Sequence, residues 1–273
     1  MKIDAHQHFW QVERGDYGWL TPELGVLYRD YGPQDLTPLL KRCAIDGTVL
    51  VQAAPTIAET EFLISLAEQN DFIKGVVGWV DFESPNSVKD IERLAKSPHL
   101  VGLRPMIQDI EDIDWMLKPQ LDPAFRALIG ADLTFDALVF PKHLSNLQTL
   151  LARYPSMRVV IDHGAKPRIA DKEFDAWAED MSALAKNTEA FCKLSGLITE
   201  AASDWQPKDL APYIDHLISS FGTDRLIWGS DWPVLNLAGN YAHWYQLIAE
   251  RLSRENAVER VMGLNAQQAY RLS

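Results

Sequence analysis

Two histidines flank Gln7 near the start of the chain, in the stretch Asp4-Ala5-His6-Gln7-His8-Phe9-Trp10. In an extended strand alternate side chains project to one side, so His6 and His8 face the same way. Two imidazoles a few ångströms apart can share a divalent cation or hold an anionic oxygen. The competing arrangement is structural, with each ring satisfied by a nearby backbone carbonyl. Asp4 has the same parity and is expected deeper on the same side.

Further groups of this kind lie later in the chain. His163 follows Val159-Val160-Ile161-Asp162 and precedes Gly164, which allows a sharp turn after a strand. Asp231 follows Leu226-Ile227-Trp228-Gly229-Ser230 and precedes Trp232-Pro233. A carboxylate within reach of imidazoles can take a proton from water, while Pro233 also suits Asp231 to a turn. Arg104 precedes Pro105, which keeps it extended and leaves a cation at a strand end for an anionic oxygen or a rim ion pair. Trp79, Trp232 and His143 are candidates, with Arg104, for gripping hydroxyls and ring faces of a substrate. Asp81, Asp136, Lys193 and Ser195 occupy similar strand ends with less context. Ser195 lies in Lys-Leu-Ser-Gly-Leu, which is no nucleophile elbow. HExxH, P-loop and EF-hand patterns are missing.

The elements that must position these groups are legible as short apolar runs. Strands are predicted at residues 2–8, 47–52, 75–81, 100–104, 133–138, 158–163, 190–195 and 226–230, apolar on both faces as in a covered parallel sheet. Between them, helical spacing marks 36–43, 60–70, 88–95, 123–129, 144–154, 174–185, 210–221 and 244–251. Eight such alternations, with no linker between them, predict a single α/β domain over residues 1–273, a (β/α)8 TIM barrel. Its chemistry belongs at the C-terminal ends of the strands, where the histidines, Arg104 and Asp231 fall. An open doubly wound sheet is the alternative, but no strand leads into a Gly-rich phosphate loop.

Composition narrows the partners. The 273 residues carry a formal charge of −12, which repels nucleic acid and anionic membranes. Cys43 and Cys192 match no metal or redox spacing and read as buried thiols. No leader pattern or membrane-length apolar run is present, so a cytoplasmic setting is the expectation. A helical face could support a homo-oligomer, though no interface stands out.

His6-Gln7-His8, His163 and Gly229-Ser230-Asp231-Trp232-Pro233 together resemble the amidohydrolase superfamily, in its lactone-hydrolysing amidohydrolase 2 branch. The resemblance spans essentially the whole chain. Asp16-Tyr17-Gly18-Trp19-Leu20, Gly75-Val76-Val77-Gly78-Trp79-Val80-Asp81, Gly102-Leu103-Arg104-Pro105 and Cys192-Lys193-Leu194-Ser195-Gly196-Leu197 are similar to its sugar-lactone members. It implies a distorted, amidohydrolase-like barrel and a small lactone as substrate, with Asp231 activating water against a carbonyl polarised by His6, His8 and His163. Two-metal members carry a bridging lysine on the fourth strand and a histidine on the fifth. Here those strands offer Arg104 and Leu133-Thr134-Phe135-Asp136, so a two-metal centre is not expected. The resemblance implies either one divalent ion such as zinc, held by His6, His8 and Asp231, or metal-free catalysis. Branches acting on pyrone or muconolactone acids, metal-dependent decarboxylases, and a non-catalytic sugar-binding barrel are the rival readings.

Overall fold

A computed structural model describes residues 1–273. Eight strands run parallel in sequence order: β1 (Ile3–Gln7), β2 (Gly47–Val51), β3 (Ile73–Gly78), β4 (Leu100–Leu103), β5 (Thr134–Ala137), β6 (Val159–Ile161), β7 (Phe191–Leu194) and β8 (Leu226–Trp228). Helices α1 (Pro33–Cys43), α2 (Ile57–Gln69), α3 (Ser87–Leu94), α4 (Asp122–Gly130), α5 (Leu144–Arg153), α6 (Asp175–Asn187), α7 (Pro207–Phe221) and α8 (Tyr241–Ser253) follow the strands in turn. The chain is a distorted (β/α)8 barrel. No helix is long and apolar enough to cross a membrane.

Local chemistry sets the helix starts. Thr56 accepts the Glu59 amide at the head of α2, and Asn240 accepts the His243 amide at the head of α8. Apolar residues at helical spacing then face the barrel, as with Leu36, Leu40 and Cys43 in α1.

The barrel closes without a regular β1–β8 ladder. The Asp231 amide donates to the His6 carbonyl at 2.8 Å, and the His8 amide donates to the Trp232 carbonyl at 2.7 Å. The seam is therefore made by the backbone of the residues singled out for chemistry.

Inside, the barrel has two zones. Ile3, Ala5, Val49, Val51, Val77, Val160 and Ile227 form one apolar cluster, which residues of opposite strands can share only in the interior. Ala266, Ala269 and Tyr270 of a short helix, α9 (Asn265–Tyr270), join that cluster and plug the lower end. Above it the interior turns polar, with His6, Asp136, Asp162 and Lys193 all fully buried.

The parity expected for Asp4 is corrected by the structure. The β1–β2 register shifts between Asp4 and Gln7, and this irregularity takes His6 out of simple alternation with Asp4. Asp4 meets α8 instead, accepting the Tyr241 hydroxyl at 2.9 Å and the Ser230 amide at 2.8 Å. Burial pushes its carboxyl up to about 6 against those hydrogen bonds. Its task is to hold the turn before Asp231, not to enter the interior.

Candidate active site

His6 and His8 extend from the end of β1, and what their outer nitrogens touch fixes what their inner edges present. His8 Nδ1 lies 2.8 Å from the Val51 carbonyl, which can only accept, so Nδ1 carries a proton. The Nε2 edge of His8 is turned to Asp231 Oδ1 at 3.3 Å and to His6 Nε2 at 3.2 Å. His6 Nε2 stands 3.7 Å and His163 Nε2 4.0 Å from the same Asp231 oxygen. Three imidazoles from β1 and the end of β6 thus converge on one carboxylate oxygen from the end of β8.

Backbone geometry makes this convergence possible. Asp231 has φ 59°, in the left-handed region. His163, Gly164, Ala165 and Lys166 have φ of 55°, 56°, 61° and 52°, one left-handed turn immediately after β6. Such a turn costs energy for every L-residue in it, and it holds the His163 ring over the barrel end. Ser195 Oγ meets His163 Nδ1 at 2.8 Å, fixing the ring from its other side. Gly196 allows the approach, since a Cβ there would come within 2.5 Å of His163 Nδ1.

Electrostatics settle the charge states. Burial, and then the nearby Lys193 ammonium, hold His6 well below the usual imidazole range despite Asp162. Burial likewise lowers His163 to about 4, although Asp231 and Asp162 oppose it. Burial works against the charge on Asp231, yet His163 and the hydrogen bond with His8 hold its carboxyl below the ordinary range. At neutral pH the centre is an ionised carboxylate facing two uncharged rings, His6 and His163.

A salt-bridge layer lies under these groups. Lys193 Nζ is 2.6 Å from Asp136 Oδ2, 2.9 Å from Asp162 Oδ1 and 3.2 Å from His6 Nδ1. Tyr270 of α9 donates to Asp136 at 2.7 Å. Arg104 donates from Nη1 to Asp162 at 3.2 Å, and its Nη2 donates to both the Gln52 carbonyl and the Gln52 side chain.

Above the centre opens a cavity of about 270 Å³, whose walls include His8, Arg104, His163 and Asp231. His6 is fully buried behind these residues and does not line the cavity. Two larger clefts, one between α7 and α8 and one beside Trp205, contain none of these groups.

The structure does not bring every sequence candidate to the cavity. Trp79 is tied to α2, its amide donating to Thr60 Oγ1 at 2.8 Å. His143 Nδ1 accepts the Phe140 amide at 3.0 Å and braces the turn before α5. Trp232 packs edge-on against Phe9 and Tyr31, behind Asp231. Conversely, Trp19, Met106, Gln108, Asp109, Leu138 and Lys166 line the mouth without having been singled out from sequence. Trp19 reaches it because Trp10 and Tyr31 exchange backbone hydrogen bonds, folding the intervening loop back over the barrel. Its indole N–H donates to the Ala53 carbonyl at 2.7 Å. The Asp16-to-Leu20 stretch was the one available signal for it.

The donor set fits a divalent cation. His6, His163 and Asp231 place one ligand atom each within 4.8 Å of one another, and His8 Nε2 adjoins them. Imidazole nitrogens with one carboxylate oxygen suit zinc, and the His8-to-Val51 bond is the kind of outer contact that aims a ligand.

Residues 3–272 match the family model described as amidohydrolase. An L-fucono-1,5-lactonase of Burkholderia ambifaria is 46% identical, the alignment covering 99% of this chain and 96% of that protein. An L-fucono-1,5-lactonase of Burkholderia multivorans is 35% identical over 100% of this chain and 96% of its own. A crystal structure of an amidohydrolase from Burkholderia multivorans with bound zinc superposes with a TM-score of 0.93 at 34% identity, each chain covered in full.

Proposed function

The chain belongs to the amidohydrolase family, and we propose that it hydrolyses a small sugar-acid lactone, of the L-fucono-1,5-lactone type, to the open aldonic acid. The observation that carries this reading is the convergence of His6, His8 and His163 on Asp231 beneath a cavity sized for one sugar ring.

The chemistry follows from the groups present. A water held in the cavity against Asp231 gives a proton to the Asp231 carboxylate as its oxygen attacks the ring carbonyl. Charge then develops on the carbonyl oxygen, where His163 on the wall supplies polar support. As the tetrahedral centre collapses, the ring C–O bond breaks and the proton on Asp231 passes to the departing ring oxygen. Lactones are activated esters, so this modest polarisation suffices. A divalent ion such as zinc, held by His6, His8, His163 and Asp231, would supply Lewis-acid polarisation of the carbonyl.

Substrate charge is selected by what the cations already do. Arg104 is engaged by Asp162 and Gln52, and Lys166 by Gln108 and Glu200 at 3.1 and 3.3 Å. No uncommitted pair of cations awaits a dicarboxylate, so a neutral polyhydroxy ring fits better than a pyrone or muconolactone acid. Trp19, 37% exposed, offers an aromatic face at the mouth. Asp109 and Gln108 offer hydroxyl partners there.

A pH-indicator assay over six-carbon sugar lactones, a pyrone dicarboxylate and an aromatic acid tests this, with and without chelator. Turnover confined to sugar lactones is expected. Turnover of the dicarboxylate instead, or ligand binding with no turnover, overturns it.

A further inference from the structure

Hydrolysis turns a neutral ring into an acid that is ionised at neutral pH, so one cavity must hold the first and release the second. The cavity wall carries two cations, Arg104 and Lys166, beside two carboxylates, Asp109 and Asp231. Arg104 is buried and answered by Asp162. Lys166 is partly exposed at the mouth, and how far its charge is felt inside depends on its partners.

Those partners are held by the backbone. Lys166 closes the left-handed turn after β6, its amide donating to the His163 carbonyl at 2.9 Å. Glu200 ends a short turn of helix after β7, Ile198–Glu200, and its carbonyl accepts the Ala170 amide at 3.0 Å. That bond ties the two loops together, and across it Glu200 Oε1 stands 3.3 Å from Lys166 Nζ. On the other side, Lys166 Nζ donates to Gln108 Oε1 at 3.1 Å and lies 5.5 Å from the centre of the Phe140 ring. Gln108 and Phe140 carry no net charge, so Glu200 alone supplies a full counter-charge to Lys166. Glu200 itself is not part of the cavity wall.

We propose that Glu200 sets the charge preference of the cavity through Lys166, neutralising that ammonium so that carboxylates are not held there. The carboxylates concerned are the aldonate product and any lactone that bears an acid group. The inference rests on the lactonase reading above and names the residue behind its preference for a neutral ring. The cavity, at about 270 Å³, holds little beyond one sugar ring, so the wall charge acts on a bound carboxylate with little intervening salt. Without Glu200, Lys166 would become an uncompensated cation in a wall otherwise balanced. Asp109 and Asp231 repel anions in either case, so a change at Glu200 isolates the Lys166 charge.

Galactonate and galactitol, the same open chain with and without a carboxylate, serve as probes in calorimetric titrations. Neither is a lactone, so the result stands apart from whether lactones are turned over. Glu200→Gln is expected to bind galactonate about tenfold more tightly than the wild type, with galactitol changed less than about twofold. The gain should shrink in about 1 M salt and vanish in the double variant Lys166→Met/Glu200→Gln. Glu200→Asp keeps the charge and should bind galactonate as the wild type does. Galactonate bound equally by wild type and Glu200→Gln, or by neither, overturns the proposal. So does an equal gain for both probes, a gain in Glu200→Asp that matches the glutamine variant, or a gain that survives loss of Lys166. Circular dichroism checks the fold, and if Glu200→Gln does not fold, Glu200→Ala is read by the same outcomes.

Discussion

His8 Nε2 stands 3.3 Å from Asp231 Oδ1, and the far side of the same ring is fixed by the Val51 carbonyl at Nδ1. Both groups line the cavity, where a water about to lose a proton to the carboxylate belongs. Asp231→Asn is expected to lower kcat by roughly 100- to 10,000-fold, the range for a positioned base, with KM changed only a few-fold. Asparagine tolerates the left-handed backbone at this position, so circular dichroism should show an intact fold. Activity close to wild type would remove Asp231 from the role of base.

Gly196 controls His163 through space alone. Alanine there would place its Cβ 2.5 Å from His163 Nδ1 and would have to adopt φ of 63°. Gly196→Ala should cost about 1–3 kcal/mol of stability and break the His163–Ser195 contact. Kinetics and denaturant unfolding together check this, and a stable, fully active variant contradicts it.

Trp19 enters the cavity rim from a loop, and its indole edge is already occupied by Ala53. Its face is what a substrate would meet. Trp19→Ala should raise KM by roughly 2- to 10-fold, in line with one aromatic contact, and leave kcat nearly unchanged. A loss confined to kcat would place Trp19 in the chemistry instead.

Glu59, fully buried, takes the Ala53 and Ala54 amides beneath this same loop. Burial raises its carboxyl from 4.5 to about 7, against those hydrogen bonds. The folded chain therefore holds a proton there that the unfolded chain releases above about 4.5. Stability from this group is present below that pH and is lost as pH rises to about 7, an effect of about 3 kcal/mol at most. Glu59→Gln should gain on the wild type between pH 5 and 7.5 in urea titrations. Parallel profiles would contradict the assignment.

The strands and the four groups at their ends were legible because a covered parallel strand is apolar throughout and ends abruptly in a polar residue. His6, His8, His163 and Asp231 met this pattern, and Arg104 joined them at the wall. Asp4 did not behave as its parity implied, because one register shift in β1 reassigns the faces and leaves no trace in residue types. Trp79, His143 and Trp232 resembled wall residues by type but do not line the cavity; His143 holds the Phe140 amide and Trp232 packs against Tyr31. Lys193 and Asp136 were visible only as strand-end polar residues. Their meaning depends on three strands meeting in space, which no local pattern encodes. Short α9, with its Gln267-Gln268 pair, offered too little periodicity to be read as the plug it is.

The seam of the barrel has a consequence for how the molecule comes into being. His8 and Asp231 are 223 residues apart, yet the amides of His8 and Asp231 make the bonds that join the first strand to the last. Closing so long a loop carries an entropic cost that only the finished barrel can repay. A nascent chain therefore holds its histidines without their carboxylate until β8 has emerged and docked. Catalytic competence therefore requires topological closure, because the same residues make the seam and the site.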